Sequence, residues 1–265
     1  MFNFYQHQNT VILIIIFTPE FLLKETFKMK RKIFLATDRG QANHGWLLAK
    51  HSFSFANYYD PENINFGALR VLNDDIVAPG MGFGTHPHDN MEIITIPLKG
   101  ALEHRDSMGN TSVIKQGEIQ VMSAGSGITH SEFNASKSEE INLFQIWIFS
   151  NKKNVEPRYD QFMMDVSKMK NNFLQVVSPN SSDEGTWIYQ NAWISIAEID
   201  ANTTLSYAVN DSTNGVYCMV IEGELEVDTI VLNKRDAIGV WDTKSIEFIA
   251  VQSSKVLVIE VPLIF

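Results

Sequence analysis

Short apolar runs recur along most of this chain, and they are too short to be helices. Between residues 80 and 150 they fall at 92–98 (EIITIPL), 112–115, 119–123 and 142–149 (NLFQIWIF), with Gly100, Gly109, Gly117, Gly125 and Gly127 between them. The rhythm resumes after 185, at 187–189, 193–199, 216–221, 224–227, 246–251 and 256–261. Close-spaced strands divided by turn residues predict an all-β barrel or sandwich. Residues 151–175 are polar, contain Pro157, Lys168 and Lys170, and read as a connection with a helical turn or two. Residues 33–80 mix turns with short apolar segments and carry Trp46, Phe53, Phe55, Tyr58, Tyr59 and Phe66, which fit core packing and its rim.

The two halves repeat weakly. Residues 96–103 (IPLKGALE) resemble 220–226 (VIEGELE): in each, an apolar strand meets a glycine turn and a second strand. Gly117-Glu118-Ile119 parallels Arg235-Asp236-Ala237 at the start of a later strand. The second half contains no histidine. In a duplicated barrel, one copy therefore holds the ligand-type residues and the other is filled by side chains such as Val216, Met219, Ile221, Ile238 and Phe248.

Composition narrows the setting. Of 265 residues, 45% are apolar, enough for a sizeable core, and the formal charge is −10. A chain so acidic has no route to nucleic acid except through a protein partner. One cysteine, Cys218, excludes an internal disulfide, fits a reducing cytoplasm and reads as a small buried apolar residue. Residues 11–17 (VILIIIF) are far shorter than the ~20 that span a membrane. They also have no basic residue before them, so they do not read as a signal peptide. The basic cluster Lys28, Lys30, Arg31, Lys32 follows instead, and residues 1–28 read as an extension, dispensable for folding, ahead of a second start at Met29.

The candidate chemistry lies in His86-Pro87-His88 and His130-Ser131-Glu132. Side chains two apart on a strand share a face, so each stretch directs two ligand-type groups the same way. If both faces line one cavity, three imidazoles and a carboxylate converge there, a set suited to a first-row transition metal with open positions. Glu92 has the same parity with His86 and His88 and competes for the fourth place. His104 has no partner at strand spacing and takes a supporting or surface place. His44 and His51 read as surface or packing residues. Gly80-x-Gly82-x-Gly84 lacks the strand–helix context of a nucleotide loop.

Family resemblance adds to this reading. Gly80, His86-x-His88, Glu92 and Gly100 look like the first cupin motif, with the last gap one residue longer than usual. Gly117, Ser123-x-Gly125, His130 and Asn134 look like the second, with serine in place of proline and a longer glycine-to-histidine spacing. More specifically, the chain resembles the pirins, a branch of the bicupins, through Arg39-Gly40, His51 to Phe55, Tyr58 to Pro61, Leu69 to Asn73, Pro79 to His88, Asn90 to Ile93, Gly100 to Ser107, Met122 to Gly127, His130 to Glu132 and Gln145 to Ile148. The resemblance implies two cupin barrels packed face to face. The expected boundaries are a metal-binding barrel at 29–150, a connection at 151–175 and a second barrel without ligands at 176–265, with terminal segments able to cross between barrels. It also implies a metal held by His86, His88, His130 and Glu132, which leaves Glu92 a supporting or core role. Fe(II) is the expected ion, with Mn, Co, Ni, Cu or Zn as substitutes. The activity implied is that of a quercetin 2,3-dioxygenase, opening a flavonol with O2, with Glu132 as the assisting base and Glu92 in reserve. The alternative is a non-catalytic iron protein whose redox state is read by a transcriptional or metabolic protein partner. A cytoplasmic monomer without membrane attachment is expected.

Overall fold

The computed structural model describes residues 29–265; the expectations for residues 1–28 lie outside them. It is built almost wholly of strands, with two short 3-10 turns at Ala36–Asp38 and Val166–Met169. Among the described residues no helix is long and apolar enough to cross a membrane.

Four sheets form two barrels. In the first, a seven-stranded sheet centred on Met91–Lys99, Ile141–Phe149 and Leu69–Val77 faces a four-stranded sheet ordered Gly82–His88, Ile128–Asn134, Ala101–Asp106, Thr111–Lys115. The second barrel repeats the plan, with Asn214–Glu222, Ser254–Pro262 and Trp193–Ile199 at the centre of its large sheet. The repeat seen in the sequence is thus a repeat of sheet order. Gly100 and Gly223 occupy matching hairpin turns with φ of +81° and +89°, a left-handed backbone that a side chain would strain.

Pairing across the chain shifts the expected boundaries. Lys30–Phe34 runs antiparallel to Ala237–Trp241, at the edge of the second barrel, although the sequence placed residues 29–34 with the first. Conversely, Arg158–Met163, assigned to the connection, pairs with Glu118–Ser123 as an edge strand of the first barrel. The second barrel thus covers a sheet edge with a strand from the start of the described chain, and the first covers one with a strand from the connection.

Most of the apolar core lies between the barrels. Leu69, Ile94 and Ile146 from the first large sheet meet Ile194, Tyr217 and Leu257 from the second, and Phe34, Phe53 and Phe66 surround the Tyr217 ring. Gly215 and Gly239 stand where Phe66 enters; a Cβ on either would collide with its ring. Asn214–Glu222 is buried on both faces. Val216, Cys218 and Val220 point into the second barrel with Ile238 and Phe248, whereas Tyr217, Met219 and Ile221 point at the first. Met219 and Ile221 therefore fill the shared core and not the second barrel's interior: in a run of apolar residues, composition cannot say which parity faces which layer.

The first barrel's interior is divided. Leu47, Ala49, Val77, Leu102, Ile141 and Leu143 cluster at one end, and Ile93, Met122, Ala124 and Ile128 at the other. Between them a polar row crosses the large sheet: His51, Asn73, Gln145, Thr95 and Gln120 are successive cross-strand neighbours, all buried.

Candidate metal centre

The histidines come from the small sheet facing that row. Gly82–His88 and Ile128–Asn134 run antiparallel, which sets His86 directly opposite His130. The register shifts between His130 and Glu132, a bulge of the kind that re-aims side chains at functional sites. The ring centroids of His86 and His130 lie 4.5 Å apart, and those of His88 lie 4.8 Å from each of the others. One ligand atom from each histidine falls within 4.8 Å of the others, close enough to share an ion.

Local contacts orient the rings. His86 Nδ1 is 2.7 Å from the Gly84 carbonyl oxygen, which leaves Nε2 as its free nitrogen. His88 packs edge-to-face with Trp147, ring centroids 4.9 Å apart. His130 is 2% exposed, and among the described residues neither of its ring nitrogens has a hydrogen-bond partner. Burial, then His86, His88 and His104, hold it neutral, with a pKa pushed down to about 2. Burial and His86 push His88 down to about 4. Neutral imidazole is the form that ligates, so these rings are ready for a metal without releasing a proton. Orphaned nitrogens on a buried ring are costly unless an ion completes them, and the donor set fits a divalent first-row metal.

Glu132 is 3% exposed and anchored from the polar row. Gln145 Nε2 donates to its Oε2 at 2.9 Å, and Thr95 Oγ1 to its Oε1 at 3.4 Å. Burial raises its pKa above the ordinary carboxylate value, opposed by the Gln145 hydrogen bond. Its carboxylate groups within 4.8 Å with His130 and with His104, so two triads share His130: His86–His88–His130 and His104–His130–Glu132. All four predicted residues line one cavity of about 240 Å³.

His104 is fully buried, not at the surface. It lies opposite Glu132 on Ala101–Asp106, bonds Asp106 Oδ2 at 3.1 Å through Nε2, and packs on Tyr159 with centroids 4.8 Å apart. Glu92 departs from its expected parity. The Asp89–Asn90 turn, with Asn90 at φ +48°, breaks the strand after His88, and Glu92 emerges in the large sheet on the side of Ile94 and Ile96, between the barrels. There it accepts a hydrogen bond from Ser123 Oγ at 2.6 Å and lies near Arg158. It does not line the cavity and has no base role there. His44 is exposed, and Cys218 is buried in the second barrel, where burial raises its pKa.

Sequence reasoning missed the opposite wall. His51, 3% exposed, lines the cavity with Nδ1 2.9 Å from Asn73 Oδ1; Asp75 and Gln145 line it too. A signal was present: Asn73 and Asp75 share parity with Val71 and Val77, so polar residues occupy the buried phase of a strand.

Comparison with known proteins decides the family. A profile described as "Pirin" matches residues 34–148, and one described as "Quercetinase C-terminal cupin domain" matches 175–261. "Quercetin 2,3-dioxygenase" of Escherichia coli K12 is 40% identical over 231 residues, covering 86% of this chain and 96% of that protein. The chain belongs to the pirin family. A pirin-like protein of Caulobacter vibrioides is likewise 40% identical to this pirin, over 222 residues covering 83% and 95%. The crystal structure of the E. coli pirin YhhW in complex with nickel(II) superposes with a TM-score of 0.83 at 38% identity, covering 88% of this pirin and 99% of that chain. A quercetin 2,3-dioxygenase from Acinetobacter baumannii, 18% identical with a TM-score of 0.69, shares the fold.

Proposed function

We propose that this pirin is a metal-dependent dioxygenase that opens a flavonol such as quercetin with O2. His86, His88, His130 and Glu132 would hold one divalent ion, Fe(II) foremost. The observation that carries the reading is His130: a buried ring, held neutral, with both nitrogens unpartnered among the described residues, beside two further histidines on a cavity wall. The relatives' printed names and the nickel complex of YhhW support it.

The cavity suits a flat ligand. Phe55, Phe83 and Trp147 offer aromatic walls in the same cavity as the three histidines. Ligand sites commonly run roughly 300–1,000 Å³, so a flavonol would fill this one and project from its mouth. A divalent ion lowers the pKa of a hydroxyl chelated to it, as it does for bound water. Glu132, which Gln145 and Thr95 hydrogen-bond, would take that proton once its carboxylate loosens from the ion. The reading is of a cytoplasmic monomer acting on a small molecule.

The test is O2 uptake with quercetin by protein loaded in turn with iron, manganese, cobalt, nickel, copper and zinc, with metal content measured in each. Consumption of O2 with at least one ion is expected. His88→Ala should lose most of the bound metal yet keep its melting transition, because the cores stand apart from the site. No O2 uptake by fully loaded protein would overturn the enzyme and leave the non-catalytic redox sensor.

A further inference from the structure

One carboxyl in the cavity has no part in the reading above. Asp75 lies on Leu69–Val77, in the wall that faces the histidine strands. It is 4% exposed, and its Oδ1 is buried with no hydrogen-bond partner among the described residues. Its cross-strand neighbours are Ala49 and Leu143, and the next row holds Leu47, Val77 and Ile141. All five belong to the apolar cluster at that end of the barrel. Asp75 is therefore a lone acid one row beyond the polar belt, where an apolar side chain would fit better.

Among the described residues no side chain partners the acid. The nearby cations Arg39 and Arg235 face its neighbour Asp74, which alternation turns to the other side of the strand. The polar row beside it is already engaged: Asn73 with His51, and Gln145 with Glu132. An unpartnered buried carboxyl is costly, and a ligand that supplies the missing donor recovers the cost on binding.

We infer that Asp75 determines substrate specificity: its carboxyl accepts a hydrogen bond from a ring hydroxyl of a planar phenolic ligand whose chelating oxygens lie at the histidines. The inference rests on the dioxygenase reading and adds what the ligand must carry, a hydroxyl donor remote from the chelating pair. A ligand with the chelating pair alone leaves Asp75 desolvated and unpaired, and binds less tightly.

The experiment compares metal-loaded wild type, Asp75→Leu and Asp75→Asn under anaerobic conditions. Fluorescence titration measures binding of 3-hydroxyflavone, which has the chelating pair alone, and of quercetin, which adds further ring hydroxyls. The wild type should prefer quercetin by roughly tenfold, the worth of one well-made buried hydrogen bond. Asp75→Leu should bring the two affinities within about twofold at unchanged metal content, and Asp75→Asn, whose amide oxygen still accepts, should keep part of the preference. Asp75→Leu should also melt at a higher temperature than the wild type, the reverse of what a structural acid would show. A wild type without the preference, or a preference that survives in Asp75→Leu, overturns this assignment alone. Failure of both flavonols to bind fully loaded wild type overturns the dioxygenase reading and this inference with it.

Discussion

At His130 both ring nitrogens are buried without a partner among the described residues, while Glu132, two residues on, is held by Gln145 and Thr95. The two residues should therefore fail differently. His130→Ala removes the central ring of both triads and is expected to lose metal and turnover together. Glu132→Gln keeps the shape and should cost turnover tenfold or more while metal content, measured by elemental analysis, falls far less. Asp75 sets a pH dependence. Burial, then Asp74 and Glu132, push its pKa up to about 8, whereas an unfolded aspartate titrates near 3.9. Between those values the folded state binds the extra proton, so this group's contribution to stability is lost as pH rises from about 4 to about 8. His88 and His130, with lowered pKa values, act in the opposite sense below about 6.5. Both histidines remain in Asp75→Asn and cancel in a comparison with the wild type. The melting temperature of metal-free Asp75→Asn minus that of wild type should thus be a few degrees larger at pH 8.5 than at pH 5.

Among the elements, Lys30–Phe34 carries more than its length suggests. It caps Ala237–Trp241 at the edge of the second barrel and delivers Phe34 into the shared core against Phe53, Phe66 and Tyr217. Losing a buried phenylalanine alone costs about 3–5 kcal/mol. A chain beginning at Met29 is expected to melt with the full chain and to bind metal as well. One beginning at residue 36 should melt many degrees lower or precipitate, because the second barrel's edge and a face of the core are uncovered together. Differential scanning calorimetry of the three chains separates these outcomes.

On the scale of the whole molecule the two barrels share a sheet order but not an interior. The first holds a polar row and a histidine cluster between two small apolar clusters. In the second, Val216, Cys218, Val220, Ile238 and Phe248 belong to one continuous apolar cluster. The expected loading is one metal per chain, counted by elemental analysis of the fully loaded protein. A second stoichiometric ion would show that the second barrel is not the apolar buttress its interior describes.

Short apolar runs and glycine turns were enough, by themselves, to determine an all-β chain with a weak internal repeat, because both act over a few residues; the two barrels followed from the family resemblance. The ligand-type residues of the two His-x-His and His-x-Glu stretches were legible for the same reason, since parity within one strand is local. Tertiary structure decided the rest. The Asp89–Asn90 turn carried Glu92 into another sheet and out of the cavity, a change of face that residue spacing does not encode. The crossing of Lys30–Phe34 to the second barrel, and the return of Arg158–Met163 to the first, depend on pairing partners outside their own stretches of sequence. Met219 and Ile221 lie on a strand buried on both sides, so only the packing of the two barrels assigns their faces. The cavity wall of His51, Asn73, Asp75 and Gln145 forms because three strands distant in sequence lie side by side in register, and register across a sheet is a property of the folded whole.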